Sequence, residues 1–330
     1  MHFAYVIDRR TIACMSLPAS EQTLAARSGQ EPGPAGGPRG TGGGGEQGSR
    51  GAGIALLTGS AASNQFGAGI AALAFPVLGP VGVVAIRQWV AAGVLLAAVR
   101  PRVATFTRRQ WGPVIALALI FGTMNLTLYS AIDRIGLGLA VTIEFLGPLS
   151  VALLASRRAL DIGCAIAAAG GVVVLARPRA TADYVGILLA LAAAACWAGY
   201  IQCNRVVGSR VPGSAGPATA AGLSALLYVP IGAWVLAGHS VTAVAIGRAA
   251  VAGLLCSAIP MTCDLLALRQ ASARFYGVFT SIQPVFAAFV GLVLLRQSLA
   301  LPDWLAITAI VAANAVSISS RDRSNRSRAS

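Results

Sequence analysis

Residues 112–156 read GPVIALALIFGTMNLTLYSAIDRIGLGLAVTIEFLGPLSVALLAS, two apolar runs, 112–132 and 137–156, parted by Asp133-Arg134-Ile135-Gly136. At about 1.5 Å per residue each run makes a helix of roughly 30 Å, the thickness of a bilayer's hydrocarbon core. A helix satisfies its own backbone hydrogen bonds, which lipid requires. Four residues allow the second run only to turn back beside the first. The stretch predicts a helical hairpin crossing a membrane twice, with consecutive helices as antiparallel neighbours.

The same pattern extends in both directions. Apolar stretches at 54–74, 77–99, 112–132, 137–156, 159–176, 184–205, 218–238, 248–268, 275–295 and 302–320 predict ten spans. Hydrophobic residues make up 56% of the chain and charged residues 11%, with a mean hydropathy of +0.73. A soluble domain carries about 25% charged residues, so no water-facing shell can be built. The net charge of +14 does not point to nucleic acid, because the 25 basic residues, all Arg, punctuate apolar runs instead of sharing a face.

Orientation follows from the arginines. Nineteen fall in the tails and loops of one side and five (Arg134, Arg177, Arg179, Arg248, Arg296) on the other, while Arg87 lies inside span two. Arg-rich loops stay in the cytoplasm, which places both termini there. Residues 29–53 hold twelve Gly and three Pro and cannot offset backbone entropy by burial. Residues 1–53 therefore read as a disordered cytoplasmic tail, without the apolar core of a secretory signal, and 321–330 as a basic cytoplasmic tail.

Shifting the sequence by 136 residues lays Pro148 on Pro284, Ala152 on Ala288, Ala131 on Ala267 and Leu119 on Leu255. Five spans, 54–176, then repeat as five, 184–320. Because five is odd, the halves must be upside down relative to each other. The expected fold is an all-α integral membrane protein of ten transmembrane helices in two inverted five-helix repeats.

Soluble chemistry finds no support. There is no Ser/His/Asp or Cys/His grouping, HExxH or P-loop, which argues against an enzyme and against ATP-driven pumping. The six Cys include no CxxC, and the pairs Cys196/Cys203 and Cys256/Cys263 would sit about 10 Å apart along one helix, too far for a disulfide. They read as small buried hydrophobes, and no metal or cofactor is expected.

Ionisable groups inside a bilayer cost roughly 2.5–3.5 kcal/mol each, so each implies a partner or a wet cavity. Arg87 falls roughly 15 Å from the outer start of span two and Glu144 roughly 10 Å from that of span four, with Asn125 at similar depth. Arg87 suits a carboxylate and Glu144 an ammonium or proton; the competing reading is a structural Arg87–Glu144 pair. A second layer holds Asp264, which could instead reach the headgroups, and Tyr276, Thr280 and Gln283, on one face of span nine at i, i+4, i+7. Interhelical hydrogen bonding competes with cavity lining for that stripe. Trp89, Trp197 and Tyr200 lie away from the interfacial belt and are pathway candidates, with lipid or core packing as an equal reading, and Tyr129 is a further site candidate. Pro148 and Pro284 read as mid-helix kinks, serving as hinges or as packing. Ser63, Gly67 and Ala71 form a small-residue stripe for helix packing.

Several motifs carry a resemblance: Gln65-Phe-Gly-Ala-Gly, Gly79-Pro-Val-Gly-Val-Val-Ala-Ile-Arg87, Met124-Asn125 with Tyr129, Glu144-Phe-Leu-Gly-Pro148-Leu, Arg157-Arg158, Cys196-Trp197-Ala-Gly-Tyr200, Ser257-Ala-Ile-Pro260 and Leu266-Ala-Leu-Arg269. In order and spacing from about Gly53 to Ser320, they resemble the EamA type of the drug/metabolite transporter superfamily, its threonine/homoserine exporter branch. The chain departs from that pattern at Gln283 and Arg296-Gln297, where the family has carboxylates, and at Asp264 and Met261. The resemblance implies a secondary transporter that exports small amino acids or related metabolites across a bacterial-type inner membrane by alternating access. The two missing carboxylates keep an uncoupled facilitator as the alternative, with a non-transporting sensor or scaffold behind it. The partners are then a small-molecule substrate and the lipid bilayer, with a homodimer left open.

Overall fold

The computed structural model of the chain describes residues 43–154, 163, 170, 183–211, 213–238, 241–257, 259–260, 282–297, 300–301, 303–313 and 316, with side chains from Ala55 onward except at 152–154. All of span five but residues 163 and 170, together with Asp264, Tyr276, Thr280 and most of both tails, lie outside them. The described elements are helical: α1 (Gly43–Ala72), α2 (Phe75–Val99), a 3-10 turn (Val103–Thr105), α3 (Arg108–Ile135), α4 (Leu137–Glu144), α5 (Leu146–Leu154), α6 (Tyr184–Arg210), α7 (Ala215–Gly238), α8 (Ala243–Leu255), α9 (Gln283–Leu294) and α10 (Asp303–Ala313). Four of them, α2, α3, α6 and α7, are by length and composition able to cross a membrane. Large apolar side chains such as Trp234, Leu226 and Leu188 face outward at 77%, 65% and 64% exposure, which suits lipid and not water.

Local signals set the helix ends. Thr107 and Gln110 form a capping box at the start of α3, and the Asp183 carboxylate accepts from Gly186 N–H at 2.9 Å to cap α6. That backbone bond, with Arg134 alongside at 3.0 Å, holds the Asp183 carboxyl below the usual carboxylate range. Near the start of α2, Gly79 adopts φ +63° before Pro80, because proline pushes its predecessor out of the α region and glycine pays no Cβ penalty for the turn. The first helix begins at Gly43, ten residues inside the tail expected to be disordered, since a helix once formed propagates at one hydrogen bond per residue.

Span four is two helices. The break falls at Phe145, three residues before Pro148, whose missing N–H cannot bond the carbonyl of Glu144. Pro284 sits in the first turn of α9, where a missing N–H costs nothing, and residues 275–281, the expected start of span nine, lie outside the described residues.

The expectation of consecutive helices as antiparallel neighbours is also corrected. Consecutive α1 and α2 barely touch; α3 packs chiefly on α6, α2 on α7 and α8, α1 on α8 and α9, and α4 on α9 and α6. Between helices in lipid, close van der Waals fit decides partners, so small residues mark the contacts. A Cβ on Gly67 would lie 2.6 Å from Cys256 Sγ, and Ser63 Oγ donates to Leu255 O at 2.8 Å, so the Ser63/Gly67/Ala71 stripe is the α1–α8 contact. A Cβ on Gly147 would meet Ala194 O at 2.4 Å, where α5 crosses α6. The α2–α7 contact is polar as well as tight: Gln88 Nε2 donates to Ser224 Oγ at 2.9 Å and Trp89 Nε1 to Ala225 O at 3.1 Å.

Candidate functional site: a buried polar cluster beside a cavity

The cluster is assembled where α1, α2, α3, α8 and α9 converge. Arg87 on α2 donates through Nη1 to Asn125 Oδ1 on α3, and its guanidinium carbon lies 4.9 Å from the Tyr129 ring centroid. Asn125 Nδ2 donates back to Phe121 O at 2.8 Å, which turns its oxygen toward Arg87. Tyr129, 1% exposed, stands edge-on to Phe75 with its hydroxyl 4.0 Å from Cys256 Sγ. The Cys256 thiol donates to Asn64 O at 3.3 Å. On the far side, Asn64 Nδ2 and Gln65 Nε2 both donate to Gln283 Oε1, at 3.4 and 3.2 Å.

Two polar atoms in this layer have no partner among the described residues, Arg87 Nε and Gln65 Oε1, although both are shut from solvent. An orphaned buried donor or acceptor costs about 1–3 kcal/mol, so water or a bound solute is the expected partner of each. Glu144, the last residue of α4, is 6% exposed and makes no hydrogen bond or ion pair to another described residue. The expected alternative of a direct Arg87–Glu144 ion pair is therefore not formed. Arg87 is held by an amide and an aromatic face, while Glu144, out of contact, attracts it through space.

A cavity of about 350 Å³ lies beside the cluster. Its lining runs from Val99, Ser214 and Pro217, near the α2–α3 and α6–α7 connections, past Phe121 and Tyr200 to Cys256 and Ser257. Cys256 borders both the cavity and the cluster, which reassigns a thiol read from sequence as a buried hydrophobe; Cys196, Cys203 and Cys256 are each only partly buried and unbridged.

Of the sequence candidates, Arg87, Asn125 and Tyr129 come together, Gln283 joins them through Asn64, and Tyr200 lines the cavity, tilted against Phe121 at 6.0 Å. Trp197 does not join the cluster; it packs edge-on against Phe145 at 4.8 Å, at the break between α4 and α5. Sequence reasoning missed Asn64, Gln65 as a site residue, and Cys256. Gln65 stood in a quoted motif and, as a polar residue inside an apolar span, carried the signal that could have found it. No group of three or more His, Cys, Asp or Glu side chains among the described residues could hold a metal ion.

Comparison with known proteins agrees with this architecture. Residues 184–319 match the model of the EamA-like transporter family. The chain is 35% identical over 270 residues to the threonine/homoserine exporter RhtA of Escherichia coli K12, covering 79% of this chain and 89% of that one, and is equally similar to RhtA of Salmonella typhimurium LT2. A solved crystal structure at 19% identity superposes with a TM-score of 0.53 over 82% of this chain and 97% of its own, which shows a shared fold. Four helices long and apolar enough to cross a membrane, together with the family and relative matches, place this protein among membrane transporters. The chain belongs to the EamA-like transporter family of the drug/metabolite transporter superfamily.

Proposed function

We propose that the protein exports small amino acids across a bacterial inner membrane by alternating access, with Arg87, Asn125, Tyr129 and Glu144 as the solute site. The observation that carries this reading is an intramembrane guanidinium and carboxylate in one buried region, each left without an opposite charge in contact. A zwitterion supplies both missing partners: its carboxylate to Arg87, its ammonium to Glu144. The relatives' names, threonine and homoserine exporter, put hydroxylated amino acids first among candidates. Tyr200 at the cavity wall would meet the solute on its way in, and Asp264, Tyr276, Thr280 and Gln283 would form the layer of the second half.

Ten spans in two inverted repeats, 54–176 and 184–320, are part of the proposal. Its support is numerical. Gln88 and Ser224 differ by 136 in number, as do Trp89 and Ala225, the same shift that laid Pro148 on Pro284. Where a pseudo-twofold axis passes between two elements, each residue would meet its own equivalent, and these two contacts join positions 136 apart, as that reading asks. The packing pattern also survives exchange of the halves: α1 on α8 answers α6 on α3, α1 on α9 answers α6 on α4, and α2 on α8 answers α7 on α3. Breaks near Pro148 and Pro284 would then be matched hinges, with 1–53 and 321–330 as cytoplasmic tails.

Cells overproducing the protein and fed dipeptides of threonine, homoserine and alanine are expected to raise the free amino acid in the medium above vector controls. An unchanged medium for every metabolite profiled would overturn export. A maleimide that cannot cross membranes is expected to label a cysteine at exposed Asp133 in intact cells, and one at exposed Ala104 only after lysis. The reverse pattern would invert the topology. The neutral network at Gln283 favours the uncoupled facilitator as second reading, and flux in vesicles that ignores an imposed pH gradient would establish it.

A further inference from the structure

On the face opposite the cavity, three described contacts each join a residue before 155 to one after 182. Arg134 Nη1 pairs with Asp183 at 3.0 Å, Arg248 Nη1 donates to Leu73 O at 2.9 Å, and Gln297 Oε1 accepts from Leu137 N–H at 3.0 Å. The third differs from the other two in what it holds. Leu137 opens α4, an eight-residue rod whose last residue is Glu144, and Gln297 follows α9, whose first residue is Gln283.

The slot for this side chain is built for it. Arg296 takes a left-handed conformation, φ 53°, unfavourable for a residue with a Cβ, and Gln297 N–H bonds back to Gly291 O at 2.9 Å, which together aim the side chain at α4. A Cβ on Gly136 would lie 2.9 Å from Gln297 Oε1, and one on Gly291 2.8 Å. A Cβ on Gly138 would lie 2.9 Å from Ala288 Cα, so α4 and α9 meet backbone to backbone just behind it. Two glycines are thus shaped around one amide, which satisfies a backbone N–H at the helix start.

We propose that Gln297 is the latch of the pathway mouth on the α3–α4 side: its bond to Leu137 N–H holds α4 against α9 and so positions Glu144, and transport requires that bond to break. Gln297 is a positioning residue, acting on the solute through α4. The proposal rests on the alternating-access reading above, with the cavity open at the other face. The role asked of residue 297 is that of an acceptor for a backbone N–H, which an amide oxygen and a carboxyl oxygen can both fill.

The test uses the full chain in membranes with Cys256 as its single cysteine, the other five replaced by Ser. Cys256 lies behind the latch, so a membrane-impermeant methanethiosulfonate applied on the α3–α4 side reaches it only when that mouth opens. Gln297→Met, which fills similar volume without the acceptor, and Gly291→Ala, which displaces the amide, are each expected to raise the labelling rate from that side about fivefold, the population change one neutral hydrogen bond sustains. Unchanged rates in both variants would overturn the latch. If Gln297→Met lowers the amount of folded protein, Gln297→Glu, which restores the acceptor, is expected to recover both abundance and the parental labelling rate, and failure of that rescue would equally overturn it. Labelling reads the mouth without requiring flux. A chain that moves no solute yet shows these rates would therefore remove the transport reading and leave the latch standing.

Discussion

Glu144→Gln is expected to abolish amino-acid flux while leaving membrane abundance unchanged. The carboxylate is 6% exposed and touches no hydrogen-bond or ion-pair partner among the described residues, so glutamine, of the same shape, orphans no neighbour. What it removes is the charge that would meet an ammonium. Breaking a buried ion pair by deleting one charge costs about 3 kcal/mol or more, which is roughly a hundredfold in solute affinity. Initial rates in vesicles, with abundance read by immunoblot and monodispersity by gel filtration, check both halves of the expectation. Arg87 is held by Asn125 and the Tyr129 face, so adding Arg87→Gln is expected to leave flux abolished. A double variant with normal flux would move both residues from the site to the scaffold.

The other large effect is structural. Gly147→Val is expected to eliminate most folded protein, because even the Cβ would sit 2.4 Å from Ala194 O and 3.1 Å from Trp197 Cβ. The first of these is backbone, which cannot rotate away, so α5 and α6 must part and the Phe145–Trp197 contact at 4.8 Å must open with them. Overpacking of this kind costs roughly 1–3 kcal/mol and more when backbone must move. Gly147→Ala is expected to fall between the two. Thermal melting in detergent followed by tryptophan fluorescence checks the order, and a valine variant melting with the parent would refute the close crossing.

Particular residues show how far the sequence could be read. The apolar runs fixed α2, α3, α6 and α7 within a few residues of their observed ends, because length and hydropathy are local properties that lipid enforces on each helix separately. Arg87, Asn125 and Glu144 announced themselves for the same reason: a charge or amide inside lipid is conspicuous without knowing its neighbours. Cys256 escaped because a thiol in an apolar run looks like any small hydrophobe, and its role comes from Asn64, 192 positions away, and from Tyr129, 127 away. Trp197 fits a pathway wall or core packing equally by sequence, and the tertiary structure sets Phe145 against it.

Short loops suggested that neighbours in sequence would be neighbours in space, yet α1 scarcely meets α2 while α3 lies along α6. Lipid offers no hydrophobic reward for joining helices, so their choice of partner turns on fit: whether Gly67 can admit Cys256, Gly147 the Ala194 carbonyl, and Gly138 the α9 backbone. The sequence by itself determined that the chain is helical, that it belongs in a membrane, and which polar residues lie where lipid should be, because each of these follows from the transfer energy of a short segment. Only the tertiary structure decided that Arg87 is met by Asn125 instead of Glu144, that Gln283 is tied to Asn64 and Gln65, and that Gln297 closes on Leu137, because those contacts depend on shape complementarity between helices far apart in the chain.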